Sequence, residues 1–326
     1  RISVLSRSLK QDIILGTKIK TENEVIIDDP YIGRLRGMKL DLELKIGSLK
    51  TEIKSLKKAA RQAIAPELMR RANEIIKSDV LNFDNENKLC WMGSPIAYIS
   101  PGQNYLSPNL ELIVDDAIDE ESKSQLKQHL EKKLNNLISS ELSDLVNLST
   151  GKFTNNYVRA LSYQLFENNG VMKRENINQM IKKITKEDRM VIRKAGIKIG
   201  RYHIFLPKML KPSAVELRIK LWKLFFLNDK EFVIPKFGLN FFESAREKNN
   251  KFFLICGFER FDNFFVRVDI LERLFVQIIE STDTKDSKFK IKSDMINLLG
   301  CSKENFYKLM NLMHYKPYKT KDSKED

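Results

Sequence analysis

The chain has 326 residues, of which 42% are hydrophobic and 31% are charged, a balance typical of globular domains and not of disordered or fibrous proteins. Its three cysteines lack CxxC or His-rich spacing, which excludes a disulfide scaffold and a zinc knuckle. With this cysteine usage the cytosol is the expected compartment. No apolar run reaches the roughly 18 residues that a membrane span requires, so we expect no membrane partner.

The net charge of +14 is confined to the second half of the chain. Residues 1–150 carry 22 basic and 22 acidic side chains, whereas residues 151–326 carry 35 and 21. Within that half, residues 173–223 hold 15 basic side chains against 4 acidic ones. Such a local excess favours a phosphate backbone or an anionic surface as partner. A solvated lysine-rich face is the alternative interpretation.

Short hairpins are predicted in the first third of the chain. Alternating apolar and polar residues predict one hairpin over residues 24–35, with its turn at Asp29 and Pro30. A second strand–turn–strand pattern covers residues 88–99. Between the hairpins, apolar residues at helical spacing over 48–78 predict a helix that breaks where Pro66 starts a second one.

An acid-rich segment follows the hairpins. Residues 110–114 are predicted to be extended, and the acids of 115–121 suit the first turn of a helix that continues to about Leu148. We interpret residues 1–150 as a first domain of hairpins, a broken helix and this acidic helix.

The second predicted domain, residues 151–318, is basic and mostly helical, and the tail 319–326 is predicted to be disordered. Its predicted elements in chain order are helices over 155–166, 174–184 and 186–195, a strand–Gly–strand element over 196–207, a helix over 212–227, strands over 252–256 and 264–268, a helix over 269–279, a polar turn over 281–287 and two short final helices. The predicted fold class is therefore α+β, mostly helical with short β-hairpins.

The final helices match a helix-turn-helix pattern. Gly300 stands where the turn requires a positive φ, and Ser302 suits the N-cap of the second helix. Lys303, Asn305 and Lys308 then occupy exposed positions suited to phosphates or bases. The alternative is a purely structural helical hairpin in a winged-helix-like module.

Motifs for catalysis are missing from the sequence. The Gly151–Thr154 segment does not fit GxxxxGK[ST], because Val146 stands in place of the first glycine and Phe153 follows the lysine. There is also no acidic Walker B strand, so this chain alone is not predicted to hydrolyse nucleotides. His203 is interpreted as a hydrogen-bonded strand residue rather than an acid–base catalyst. We predict neither catalytic residues nor a metal site.

Other side-chain groups are interpreted as structural. The charged residues of 267–273 are predicted to form an ion-pair network in which Asp269 pairs with Arg273, and the apolar stripe of 217–225 is predicted to be core. The aromatic residues considered as exposed stacking groups for unpaired bases are Tyr31 and Tyr202.

Four blocks of sequence, in this order and spacing, resemble one protein family. They are Lys88–Ala97, Arg193–Pro212 with Leu221 and Trp222, Val266–Arg273 and Leu298–Ser302. Together they resemble the region downstream of the motor in alphaproteobacterial superfamily 2 helicases similar to the mitochondrial degradosome RNA helicase. The resemblance covers about residues 20–318.

The resemblance implies an accessory region of an ATP-dependent RNA or DNA helicase. The two RecA-like motor domains would be N-terminal to Arg1 or separately encoded, and ATP and Mg²⁺ would belong to that motor. No cofactor is expected in this chain.

We therefore predict that the chain is a module that captures single-stranded RNA or DNA by electrostatic attraction and stacking. Two alternatives are a docking scaffold for a nuclease or ribosome-associated protein and a helix-turn-helix DNA-binding regulator. The candidate nucleic-acid-binding residues are Arg193, Lys194, Lys198, Arg201, His203, Lys208, Lys211, Lys303, Asn305 and Lys308.

Overall fold

The computed structural model describes residues 24–26, 31–42, 50–78, 82–84, 87–151, 153–226, 234–244, 249–282 and 288–318. They form an α+β fold, mostly helical with small antiparallel sheets. The described residues belong to two compact units, one within 1–137 and 220–228 and the other within 138–219 and 229–326. The first unit thus takes two separate stretches of the chain, whereas the sequence predicts contiguous domains that meet at residue 150.

The strands are short and antiparallel. They are β1 (Glu24–Ile26), β2 (Tyr31–Arg36), β3 (Lys39–Leu42), β4 (Asn82–Phe83), β5 (Lys88–Trp91), β6 (Ser94–Ser100), β7 (Asn109–Leu112), β8 (Val171–Lys173), β9 (Lys198–Ile199), β10 (His203–Phe205), β11 (Phe241–Glu243), β12 (Phe258–Phe261) and β13 (Phe264–Arg267). Their sheets have the orders β1-β2-β3, β4-β5-β6-β7, β8-β10-β9 and β11-β13-β12.

The helices occupy most of the remaining described chain. They are α1 (Lys50–Lys77), α2 (Glu120–Glu141), α3 (Ser143–Thr150), α4 (Asn156–Glu167), α5 (Asn178–Lys182), α6 (Lys186–Lys194), α7 (Pro212–Phe225), α8 (Asn250–Ile255), α9 (Val268–Ser281), α10 (Ser293–Leu299) and α11 (Lys303–Leu312), with 3₁₀ turns at Arg174–Ile177 and Pro207–Leu210.

Both predicted hairpins are present in the first unit. β1 pairs with β2, and β5 pairs with β6 across a turn at Met92 and Gly93. The predicted break at Pro66 is wrong, because α1 continues through it. Pro66 is exposed, while Ile64 and Leu68 belong to a buried row on the opposite side. The missing N–H bond therefore falls on the face where water can satisfy the free carbonyl, and packing holds the helix on both sides of it.

The acidic helix is also present, but in two pieces. α2 begins one residue after Asp119, whose carboxylate accepts the backbone N–H of Ser122, as expected for an N-cap. A turn at Leu142 then separates α2 from α3.

The central part of the second unit follows the predicted order of elements. Helices α4, α6 and α7 lie close to their predicted bounds, and β9 and β10 form the predicted strand–Gly–strand element. The helix predicted over 174–184 is a 3₁₀ turn at Arg174–Ile177 followed by the short α5. The predicted core stripe of α7, whose residues from 220 onward belong to the first unit, is confirmed at Leu217, Leu221, Trp222 and Leu224, which are buried, while Phe225 is half-buried. The strand β8, which pairs with β10, was not predicted.

One predicted strand is a helix. Residues 252–256 fall in and just after α8, whose N-cap Asn249 accepts the backbone N–H of Phe252. An unbroken apolar run has no periodicity that separates a short buried strand from a buried helical turn. The N-cap at Asn249, which lies outside the apolar run, favours the helix over the strand.

The final helices pack as predicted for a helix-turn-helix. Gly300 ends α10 with φ 68°, and the hydroxyl of Ser302 accepts the backbone N–H of Asn305 at 3.1 Å. Phe306 and Leu309 of α11 are fully buried in one cluster with the inner face of α9. The winged-helix-like character of this element stays a prediction.

Some predicted features lie outside the described residues. They are the turn at Asp29 and Pro30, most of the polar turn at 281–287, Lys152 and the tail 319–326.

Candidate functional site

The turn between β9 and β10 is held by a carboxylate from α9. Glu272 accepts the backbone N–H groups of Arg201, Tyr202 and His203 at 2.5, 2.8 and 2.8 Å. Gly200 makes this approach possible, since a Cβ there would lie less than 3.0 Å from three atoms of the Glu272 carboxyl group. The turn therefore has one fixed backbone shape, from which the side chain of Arg201 projects.

The carboxylate of Glu272 is kept ionised by the groups that surround it. Burial acts to raise its pKa, but the His203 imidazole and the three N–H groups outweigh burial and hold the pKa below its ordinary value. The site thus contains a negative charge that is already satisfied within the protein.

His203 lies beside this carboxylate and is buried. Its Nε2 is 2.8 Å from Glu259 Oε2 and its Nδ1 is 3.7 Å from Glu272 Oε1, while Lys173 Nζ lies 2.7 Å from Glu259 Oε1. Burial acts to lower the pKa of His203, but the two carboxylates outweigh it and the pKa is raised. The residue is only 1% exposed. It is therefore almost inaccessible and its ring is engaged by Glu259, which corrects its inclusion among the nucleic-acid-binding candidates.

An open groove of about 920 Å³ runs between this turn and α9. One face of α9 forms its floor, where Glu272, Phe275, Val276 and Ile279 follow each other at helical spacing. Leu298 and Ile199 complete the apolar lining. This α9 groove is concave and accessible, as a binding site requires.

Four basic side chains line the α9 groove: Arg174, Lys198, Arg201 and Arg273. Arg174 donates through Nη1 to the carbonyl of Gly200 at 2.7 Å, and the Arg201 guanidinium lies 5.4 Å from the ring centroid of Phe275. These contacts fix the orientation of two cations at the edge of an apolar floor.

A second groove of about 380 Å³ adjoins the first and shares Lys198 and Ile199 with it. Arg189 and Arg193 of α6 add two further cations there. Among the described residues that line the two grooves, Glu272 is the only carboxylate, and it is engaged by the turn. The six cations that line the two grooves are Arg174, Arg189, Arg193, Lys198, Arg201 and Arg273, and we call them the basic row.

The structure brings together three of the predicted site residues, Arg193, Lys198 and Arg201. Lys194, Lys208 and Lys211 are exposed but line neither groove. Lys208 pairs with the carboxylate of Asp144 at 2.8 Å.

The predicted residues of α11 are also outside the grooves. Lys303 and Lys308 are exposed, Asn305 is half-buried, and Lys308 pairs with Glu304 at 2.7 Å. The face of α11 that carries Phe306 and Leu309 is buried in the core, so α11 packs against the rest of the unit.

Arg174, Arg189 and Arg273 complete the basic row, although the sequence did not single them out as contacts. Arg174 and Arg189 fall within the basic window of residues 173–223. The sequence signal that could have identified them as phosphate contacts is that both are arginines, since guanidinium groups suit phosphate recognition. For Arg273 the helical spacing predicted an ion pair with Asp269 instead.

The predicted ion pair between Asp269 and Arg273 is wrong, because Asp269 has a different partner. Asp269 accepts from Arg267, at 2.6 Å from Nε and 3.1 Å from Nη2. Arg273 is exposed and lines the α9 groove. Two residues of separation suffice for the Arg267 pair because Arg267 precedes α9 in extended conformation, where helical spacing does not apply.

Tyr202 is not the exposed stacking group that was considered. It is half-buried and packs edge-on against Phe275, with ring centroids 5.3 Å apart. The side chain of Tyr31 lies outside the described residues.

Comparison with known proteins identifies no relative: no protein-family model, curated protein or solved structure matches the chain. Within the part of the chain that the structure describes, no helix has the length and hydrophobicity to cross a bilayer. Those same residues contain no group of three His, Cys, Asp or Glu side chains arranged to hold a metal ion.

Proposed function

We propose that this chain binds the sugar-phosphate backbone of RNA or DNA along its basic row. The observation that supports the proposal is the arrangement of six cations along two adjoining grooves, whose described lining has no competing carboxylate except the engaged Glu272. A row of guanidinium and ammonium groups at the edges of a groove is suited to successive phosphates.

The geometry also suits the proposal because two of the cations are already oriented. Arg174 is fixed on the Gly200 carbonyl and Arg201 over the Phe275 ring. A bound strand therefore has less side-chain entropy to remove than it would on a free lysine surface.

Salt dependence of binding tests the proposal. Affinity for a labelled oligonucleotide is measured by fluorescence anisotropy across about 50 to 200 mM salt. Each phosphate contact to a single strand contributes about 0.7 to the slope of log affinity against log salt. The triple variant Arg193→Glu/Lys198→Glu/Arg201→Glu is expected to reduce that slope by about 2.

A matched control changes the net charge by the same amount elsewhere. Lys182, Lys290 and Lys292 are exposed lysines of the same unit that line neither groove. Changing all three to Glu is expected to leave the salt slope near the wild-type value. Equal losses in the two triple variants, or a wild-type affinity independent of salt, would contradict the proposal.

The place of the chain within a helicase is a separate proposal that depends on the resemblance alone. It is tested by reading the coding sequence upstream of Arg1. An open frame that encodes GxxxxGK[ST] and an acidic Walker B strand would support it.

Docking of an acidic partner protein is a second candidate, favoured by the apolar floor of the α9 groove. An amphipathic segment with acidic flanks has the complementary chemistry. Capture of a partner that survives nuclease treatment and is lost in the Arg193/Lys198/Arg201 variant would favour docking over nucleic-acid binding.

A further inference from the structure

The apolar floor of the α9 groove is not required by the electrostatic function proposed above. Val276 and Ile279 are 51% and 56% exposed, although they lie on a helix whose other face already supplies core residues such as Leu271 and Leu274. Single exposed aliphatic side chains are ordinary. Here two of them line one groove with Phe275 and Leu298, beside the cations, and we call these four residues the apolar strip.

Phosphates do not explain an apolar strip, but nucleobases do. The faces of bases are apolar, and they are hidden by stacking in a duplex and available in an unpaired strand. Contacts between apolar side chains and base faces are thus a means of distinguishing the two forms, whereas phosphate contacts occur with both.

The dimensions of the strip fit a short piece of strand. From Phe275 to Ile279 the helix rises about 6 Å, the height of about two bases that remain stacked at the duplex spacing of about 3.4 Å. One face of Phe275 is covered by the Arg201 guanidinium, so the aliphatic side chains are the accessible part of the strip. The guanidinium plane itself is a further surface on which a base can stack.

We propose that Val276 and Ile279, together with Leu298, contact the faces of about two unpaired bases while the basic row holds the neighbouring phosphates. This inference rests on the proposed nucleic-acid binding and adds a specificity determinant to it. It makes the groove selective for single strands over duplexes of the same sequence.

The variant Val276→Ser/Ile279→Ser separates this contribution from the electrostatic one. We expect about a tenfold loss of affinity for a single-stranded oligonucleotide, from two half-exposed aliphatic side chains that become buried by bases. The loss for the blunt duplex should be less than about twofold, and the salt slope should stay at the wild-type value because no cation is removed.

Abasic oligonucleotides provide the second arm. Replacing two adjacent nucleotides of an otherwise unchanged strand by abasic sites removes base faces and keeps every phosphate. The pair of abasic sites is moved along the strand from one oligonucleotide to the next. Wild-type binding is expected to weaken by about tenfold when the pair replaces the two bases that contact the groove. The Val276→Ser/Ile279→Ser variant should show almost no abasic effect.

The control substitutes exposed aliphatic side chains of other helices. Val191 of α6 and Leu312 of α11 are 44% and 39% exposed and line neither groove. The double variant Val191→Ser/Leu312→Ser should bind single strand and duplex as the wild type does. Unchanged circular dichroism melting curves verify that both double variants are folded.

The outcomes distinguish failure of this inference from failure of the proposed function. If the wild type binds nucleic acid with a salt slope but the Val276/Ile279 variant weakens single strand and duplex equally, or neither, the base-contact inference is overturned. If the wild type binds no nucleic acid, both proposals are overturned, and direct binding of an acidic amphipathic peptide to the groove would then favour docking.

Discussion

Substituting Gly200 by alanine tests the geometry that holds the β9–β10 turn. The added Cβ would lie less than 3.0 Å from three atoms of the Glu272 carboxyl group. Glu272 is 5% exposed and accepts three backbone N–H groups from the turn. The carboxylate therefore has no way to move aside without breaking bonds that the turn depends on.

The expected cost follows from those bonds. A hydrogen bond to a charged group contributes about 1.5 to 3 kcal/mol, so losing one or two of the three destabilises the second unit by about 2 to 5 kcal/mol. Gly300→Ala is the matched comparison, because Gly300 has φ 68° and a Cβ added to it would meet no atom within 4 Å. Only backbone strain applies there, at about 1 to 2 kcal/mol.

Native-state hydrogen exchange of the amides of residues 201–203 is the local measurement, and urea unfolding followed by circular dichroism gives the global one. Glu272→Ala removes the carboxylate, so Gly200→Ala should cost less than about 1 kcal/mol in that background. The reasoning is refuted if Gly200→Ala costs no more than Gly300→Ala, or if its cost is unchanged when Glu272 is absent.

Three further predictions concern the second unit. The raised pKa of His203 implies a stabilising contribution that is complete below the unfolded pKa of about 6.5 and is lost as the pH rises through the folded pKa. The urea concentration at the midpoint of unfolding should therefore decrease as the pH is raised through that range, and His203→Gln should abolish the decrease. Arg218 donates to the carbonyls of Asn169, Met209 and Ile255 in the core, so Arg218→Met should destabilise by about 3 kcal/mol or more in urea unfolding because buried carbonyls lose their donors; a loss below about 1 kcal/mol would contradict this. Ser302→Ala removes the α11 cap and should cost about 1 kcal/mol in thermal unfolding, with Ser302→Asp, a substitute cap, restoring most of it.

Elements whose determinants are local could be predicted from the sequence. The final two helices depend on Gly300 and Ser302, which lie within three residues of the helix ends they control. The predictions failed where a competing effect outside the pattern was stronger. Packing on both sides of Pro66 overcame its local tendency to break α1, and the cap at Asn249 decided between helix and strand for an apolar run with no clear period.

The site could be predicted only in part. The charge count indicated a basic window, and Arg193, Lys198 and Arg201 within it do line one surface. The other half of the site comes from α9, about seventy residues further along the chain. No spacing rule connects Glu272 to the turn that it holds, because the contact is made by tertiary folding alone.

The dependence of the turn on Glu272 has a consequence for dissecting the protein into fragments. A truncation that stops before α9 would retain most of the cations but leave three amides of the turn without their acceptor. Such a piece would keep its positive charge and lose the shape that positions it. A fragment that preserves the shape of the turn must therefore extend at least through α9, however much of the basic window a shorter one contains.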